Sequence, residues 1–292
     1  MSNDDFQRIC VCICTRNRPD DLNTALQSLW GSTLLPAQVI VSDDSDAAQS
    51  DKTRAVCAAQ PHPVDYVPGP RLGLSANRNC CIDNLRDDIA GVSYIDDDVK
   101  VVPEFLPTFA NVLAEVRGKA VITGGQLDHG TYLLQPRNRS FWGHQEVVPR
   151  DGNDYRAIVI NTTLFPRQLF RTERFDEALR YGSEEVDMAE RAVYAGFPIR
   201  FVPEVNNLHY PSPTNRKEYE SFTEASRLYS QYKYLRYVKK SPKEAVRFRL
   251  LAPFHHVFSF VKQGKWGMLP KAFAAIARAN EHTRNYEAAH KE

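Results

Sequence analysis

Apolar residues fall into short β-branched runs separated by segments with helical spacing, and this alternation repeats along the first two thirds of the chain. Ile9-Cys10-Val11-Cys12-Ile13-Cys14 reads as a buried first strand. After the polar turn Thr15-Arg16-Asn17-Arg18-Pro19, Leu22, Ala25, Leu26 and Leu29 recur at helical spacing, with Asp20 or Asp21 placed to cap the helix. Gln38–Ser42 reads as a second strand that stops at Asp43-Asp44, and Val64–Val67 as a third, closed by Pro68-Gly69-Pro70. A helix starting near Ser75 carries Arg78 and Asn79 in its first turn and leads into the strand Val92-Ser93-Tyr94-Ile95. Pro103-Glu104-Phe105-Leu106 opens another helix, with proline at a tolerated early position. Val121-Ile122-Thr123 ends at Gly124-Gly125, where backbone must pass close to something. Ala157–Asn161 resumes strand character, and Ile199–Val202 is a last strand with His209 just past its end. Strands and helices in this order predict an α/β fold with a mostly parallel, Rossmann-like sheet over residues 1–215.

Residues 216–292 have a different texture. The pattern is helical and rich in tyrosine (Tyr229, Tyr232, Tyr234, Tyr237), then basic, with Pro242 and Pro253 expected to break it. Phe254, Val257, Phe258, Phe260 and Val261 beside Lys262 and Lys265 predict an amphipathic helix lying on the body of the protein or on a membrane surface.

Charge sharpens this division. The chain of 292 residues carries a formal +1. From Arg216 onward there are sixteen Lys and Arg against seven Glu and no Asp, a net +9, which leaves −8 for residues 1–215. An acidic body suits a cation site, and a basic, aromatic tail suits anionic lipid headgroups or another polyanion. No stretch reaches about 18 uninterrupted apolar residues, and the polar start Met1-Ser2-Asn3-Asp4-Asp5 lacks signal-peptide character, so a cytosolic chain is expected. Cys10, Cys12 and Cys14 share one strand face and Cys80-Cys81 are neighbours, so the cysteines are expected to pack as free thiols.

The chemistry concentrates in carboxylates. Asp96-Asp97-Asp98 follow a buried strand, at the edge where open α/β sheets bind ligands. Three adjacent acids either face water or share a hard cation such as Mg²⁺ or Mn²⁺ that also holds phosphates. A second cluster, Glu184-Glu185-x-Asp187, follows Ser183, a natural N-cap, and helix-dipole stabilisation alone would account for it.

Taken together, Cys14-Thr15-Arg16-Asn17-Arg18, Ser42-Asp43-Asp44-Ser45, Gly73-Leu74-Ser75-Ala76-Asn77-Arg78-Asn79, Asp96-Asp97-Asp98 and Glu184-Glu185-x-Asp187-x-x-x-Arg191 resemble, in that order, the family 2 glycosyltransferases over roughly residues 8–215. The resemblance implies the GT-A fold and inverting transfer of a sugar from a nucleotide-diphosphate donor of UDP or dTDP type. It places Thr15, Arg18, Asp43 and Asp44 at the nucleotide and Arg78 at the diphosphate. It matches Asp96 and Asp98 to the family's Asp-x-Asp motif, with Asp98 on an Mn²⁺ or Mg²⁺ ion and Asp96 and Asp97 on the ribose or just behind the ion. His209 resembles a histidine that some members use as a further metal ligand. Glu185 occupies the catalytic-base position, one methylene longer than the family's usual Asp, with Glu184 and Asp187 as neighbouring candidates.

The sequence does not identify the acceptor: a bacterial surface polysaccharide, a lipid-linked sugar and a small natural product all stay open, with Trp142 and His144 as candidates for its pocket and ordinary packing as their alternative. No nucleic-acid partner is expected, self-association is left open, and peripheral contact with the inner face of the membrane would run through the basic tail. A sugar nucleotidyltransferase is the nearest rival, although Thr15–Pro19 holds no glycine for a phosphate loop. The other rival is a non-catalytic carbohydrate- or membrane-binding protein that keeps the fold.

Overall fold

The computed structural model describes residues 3–150, 154–212, 214 and 216–290. The elements follow in the order β1 (Ile9–Thr15), α1 (Pro19–Trp30), β2 (Gln38–Asp43), α2 (Ala47–Ala58), β3 (Asp65–Pro68), α3 (Leu74–Asp83), β4 (Gly91–Asp96), β5 (Val99–Lys100), α4 (Phe105–Glu115) and β6 (Val121–Asp128). They continue with β7 (Tyr132–Leu134), β8 (Asn138–Arg139), β9 (Gln145–Val147), β10 (Thr163–Pro166), α5 (Glu184–Tyr194), β11 (Ile199–His209), α6 (Arg216–Lys233), α7 (Pro242–Lys262) and α8 (Leu269–Ala289).

Alternation along β1 builds two core layers, because successive side chains point to opposite faces of the sheet. Ile9, Val11 and Ile13 join Leu22, Leu26 and Leu29 of α1 and Phe105, Leu106 and Phe109 of α4. Cys10 and Cys12 join Cys81 of α3, Tyr94 of β4 and Met188 and Ala189 of α5 on the other side. All six cysteines are free thiols. The main sheet runs β3-β2-β1-β4-β10-β6-β11-β5, with β7 on β6. β3, β2, β1 and β4 are mutually parallel, as are β6 and β11, while β10 is antiparallel to both its neighbours. The parallel strands therefore end along one edge, and the loops after β1, β2 and β4 gather there.

Several local expectations are corrected by packing. Asp20 and Asp21 do not cap α1; Arg18 holds that position, Pro19 is the first helical residue, and both acids fall in the first turn. Pro103 stands before α4, which begins at Phe105. Ala157–Val159 joins no strand pairing, and the paired strand is β10, after a single 3₁₀ turn at Ile160–Thr162. His209 is the final residue of β11, not beyond it, because the strand resumes pairing with β6 after an irregularity between Phe201 and Asn206. Pro253 does not break α7 and is carried inside it. Gly124 and Gly125 do mark close approach: a Cβ on Gly124 would stand 2.3 Å from the Val205 carbonyl oxygen, and one on Gly125 2.2 Å from Asn206 Oδ1.

The C-terminal helices have their own apolar centre, in which Leu228, Tyr229, Tyr232, Leu235, Phe248, Ala252 and Ala279 surround Leu179 from the preceding region. None of the helices among the described residues is long and apolar enough to cross a membrane.

Candidate active site

β4 ends at Asp96 and β5 begins at Val99, so Asp97 and Asp98 form the turn between them. That turn, the loop after β1, Asp44, the Arg71–Leu74 segment, Arg180-Tyr181, His209 and Phe222 wall a cavity of about 460 Å³. Of the predicted residues, Thr15, Arg18, Asp44, Asp96, Asp97, Asp98 and His209 line it. Asp43 is turned into the structure, accepting from Ser45 N at 2.9 Å and from the Tyr66 hydroxyl at 3.0 Å. Asp44 Oδ1 accepts from Arg71 N at 2.8 Å, and burial raises its pKa.

The three central acids have different surroundings. Asp97 is buried, bonded to the Thr15 hydroxyl at 2.7 Å and to an Arg18 guanidinium nitrogen at 2.9 Å. It thereby ties the loop after β1 to the acidic turn. Burial still pushes its carboxyl up to about 7 against the pull of Arg18. Asp98 accepts from Ser212 N at 2.9 Å through Oδ2, while Oδ1 lies 3.3 Å from His209 Nε2 without hydrogen-bond alignment. Burial works against ionisation of Asp98, but His209, the Ser212 N–H and Arg18 outweigh it and lower its pKa. Asp96 is the most open of the three, with its side chain 34% exposed.

A second tier of residues, which the sequence reading missed, fixes these positions. Asn161 accepts from Asp96 N at 2.8 Å and donates to Asp96 Oδ2 at 3.2 Å and to Gln126 Oε1 at 2.9 Å. Gln126 and Asp128 in turn hold His209 Nδ1 at 3.0 and 2.8 Å. Asp98 and Asp128 raise the imidazole to about 9 despite burial. Buried polar side chains at the end of a strand are the signal that could have found this tier, since such groups need partners.

Arg78 joins the two acidic clusters. It is 2% exposed, lies 3.1 Å from Glu184 Oε1 and 3.7 Å from Asp96 Oδ1, and is covered by the rings of Tyr94 and Phe175. Glu184, Glu185 and Arg78 are not in the cavity wall described above but stand directly behind it. Glu184 Oε2 is buried without a hydrogen-bond partner. Burial first, then the neighbouring Glu184 charge, pushes Glu185 up to about 7. Ser183 stands at the N-cap of α5 as expected, but its backbone is left-handed (φ 66°) and its side chain makes no capping bond. The acids of α5 are held instead by tertiary partners.

Asp187 belongs to a different network. Lys233 Nζ lies 3.0 Å from it and Arg191 Nε 3.0 Å, and these cations outweigh burial and hold its carboxyl down at about 2. Trp142 and His144 are not brought to the cavity either: Trp142 stacks on His255 of α7 at 3.9 Å, its carbonyl accepts from Arg227 of α6, and His144 has the charges of Arg227 and Glu224 beside it.

Among the described residues no three His, Cys, Asp or Glu side chains converge as a ready-made metal cage. Asp98, with its unbonded buried Oδ1, and His209 together offer one carboxylate and one imidazole at the cavity wall. That pair fits a hard divalent ion whose remaining positions are filled by water and phosphate oxygens, the usual arrangement for Mg²⁺ with nucleotides.

Comparison with known proteins agrees with this architecture. The family model described as "Glycosyl transferase family 2" matches residues 10–173, more than half of the chain. The chain belongs to glycosyl transferase family 2. It is therefore a glycosyltransferase, with the motif-bearing strands β1, β2 and β4 inside the matched region. The succinoglycan biosynthesis protein ExoM of Rhizobium meliloti (strain 1021) is 27% identical over 215 residues, spanning 71% of this chain and 68% of ExoM. Two solved structures share the GT-A fold at low identity. The mannosyltransferase PcManGT of Pyrobaculum calidifontis, in complex with GDP-Man and Mn²⁺, aligns with a TM-score of 0.60 at 15% identity, covering 98% of this chain and 76% of that one. S. aureus TarS 1-349, in complex with UDP-GlcNAc, aligns with a TM-score of 0.62 at 14% identity, covering 94% and 81%.

Proposed function

We propose that this family 2 member transfers a sugar from a nucleoside-diphosphate donor of UDP or dTDP type to an acceptor hydroxyl, with inversion, using Glu185 as general base and a divalent cation at Asp98. The observation that carries the reading is the Asp96–Arg78–Glu184 chain of contacts, which ties the second acid cluster to Asp96 in the wall of a cavity large enough for part of a nucleotide. The glycosyltransferase complexes with GDP-Man and UDP-GlcNAc on the same fold support a nucleotide-sugar donor.

In this reading Thr15, Arg18 and Asp44 receive the nucleoside, and Asp97 orients Thr15 and Arg18 at the end of β1 and in the loop after it. Arg78, behind the wall and paired with Glu184 and Asp96, supplies positive charge near the diphosphate and fixes those two carboxylates. Asp98 and His209 would hold Mn²⁺ or Mg²⁺, which neutralises charge on the departing nucleoside diphosphate. Glu185 takes the proton from the acceptor hydroxyl as oxygen attacks the anomeric carbon. A carboxyl with a pKa near 7 is well matched to that task at neutral pH. Asp187 is left out of the chemistry, because Lys233 and Arg191 already neutralise it.

A thermal-shift screen of UDP, dTDP and GDP sugars with and without Mn²⁺ tests the donor, since ligand that binds only the folded state raises the midpoint by mass action. UDP or dTDP sugars should raise it in a metal-dependent way, and Asp98→Ala should abolish the metal dependence. Equal nucleotide affinity with and without Mn²⁺ in the wild type would remove the cation from the reading. A donor panel that stabilises the protein while releasing no nucleoside diphosphate with any glycan, lipid-linked or small-molecule acceptor would favour a binding protein that has kept the fold.

A further inference from the structure

Seven of the fifteen large apolar side chains exposed among the described residues fall between Val246 and Phe273. Val246, Leu250, Phe254 and Phe258 recur every four residues along α7 and are 59, 63, 76 and 62% exposed. Their opposites on the same helix, Ala245, Phe248, Ala252 and His256, are buried against α6 and α8. The helix thus has an apolar inner face that the fold covers and an apolar outer face that it does not. Trp266, 62% exposed in the turn after α7, and Phe273, 59% exposed on α8, extend the outer surface.

Charge says what the surface is built to meet. Residues 245–280 contain six Lys and Arg and no Asp or Glu. Lys262, Lys265 and Lys271 are exposed around Trp266 and, among the described residues, make no ion pair. A second copy of the chain is a poor occupant, because a two-fold interface would set this basic, acid-free face against itself. An anionic lipid surface is complementary in both respects: apolar side chains enter the headgroup and acyl boundary, lysines pair with phosphates above it, and tryptophan favours that boundary. No helix among the described residues is long and apolar enough to span a bilayer, and the contact argued for is a peripheral one.

We propose that the outer face of α7 and the α7–α8 turn binds an anionic lipid bilayer. The proposal stands apart from the transfer chemistry, and its test contains no donor. Full-length protein is sedimented with vesicles of phosphatidylcholine alone or with 30% phosphatidylglycerol, at about 0.1 and about 0.5 M salt, the higher of which shortens the screening length to a few ångströms. The wild type should bind the anionic vesicles at least tenfold more tightly than the neutral ones, with most of that preference lost at high salt. Phe254→Ser with Phe258→Ser should cut binding at least tenfold, and so should Lys262→Glu with Lys265→Glu and Lys271→Glu, while thermal midpoints stay within a few degrees of wild type. Trp266 fluorescence should shift to the blue on binding, and Trp266→Phe should remove that component. Equal partition of the wild type into both vesicle types, or none into either, overturns the proposal. So does a wild-type dimer in light scattering that the Phe254→Ser, Phe258→Ser variant converts to monomer without any vesicle binding, which would assign the face to a second copy.

Discussion

Three neighbouring acids on α5 carry the same formal charge, and their surroundings give them separate roles. Asp187 is neutralised by two cations, Glu184 is paired with Arg78, and Glu185 is pushed toward neutrality by burial and by Glu184. Glu185 is therefore poised to exchange a proton near pH 7. Glu185→Gln should lower kcat by about 10²- to 10⁴-fold, the usual worth of general base catalysis, while donor binding is preserved. Because the base must be ionised, kcat/KM of the wild type should rise with pH through about 7 and level above it. The residual activity of Glu185→Gln should lack that limb, and wild-type turnover by the variant would end the assignment. Along the chain, Asp96, Asp98 and Glu185 are legible as strand-end and helix-start acids. Which of the three acids on α5 is left without a cation is not, because Lys233 reaches Asp187 and Arg78 reaches Glu184 from 46 and 106 residues away.

At the scale of elements, α5 and α6 are joined by buried charge. Lys233 at the end of α6 lies 2.6 Å from Asp176 and 3.0 Å from Asp187, and Arg139 of β8 reaches both Glu190 of α5 and Ser230 of α6. Removing one member of a buried pair leaves the other charge uncompensated, so Lys233→Met should destabilise the fold by about 3–5 kcal/mol in urea unfolding. The sign of the pH dependence follows from Asp187. Its folded pKa, about 2, is below the unfolded value of about 3.9, so its stabilisation is full above that unfolded value and disappears as pH falls through the folded one. The stability gap between wild type and Asp187→Asn should accordingly be wide at pH 6 and narrow steadily as the pH is lowered from 4 toward 2. A gap independent of pH would show that Asp187 acts by packing alone. The apolar periodicity of α1 and α5 was readable along the chain, whereas Pro253 inside α7 was not. Its missing N–H breaks a helix in isolation, but packing of Phe248, Ala252 and Ala279 into one centre holds the turns on both sides.

The whole molecule joins what the sequence pattern divides. Composition separates residues 1–215 from a basic tail, yet α6 enters the body: the Tyr229 hydroxyl donates to Asp176 at 2.7 Å, Ser226 to the Tyr181 carbonyl at 2.9 Å, and Phe222 lines the cavity. A chain ending at residue 215 should therefore fail to give a cooperative thermal transition, despite containing the whole region matched to the family. A sharp transition close to that of the full chain would make the tail a separate unit. The +9 of the tail and its unpartnered α7 face belong to this scale too, since only the assembled helices show which apolar residues are left outside.

By itself the sequence determined the alternation of strands and helices, the parallel sheet it implies and the order of the acidic motifs, because these depend on local periodicity and on residue chemistry within a few positions. Tertiary structure alone decided which carboxylates are neutralised, that Asn161, Gln126 and Asp128 fix the site from beneath, that Trp142 and His144 face α6 and α7, and that the tail's first helix completes the cavity wall. The physical reason is range: hydrogen bonds, ion pairs and desolvation act over a few ångströms in space between groups that are tens of residues apart in the chain, and no local pattern records those meetings.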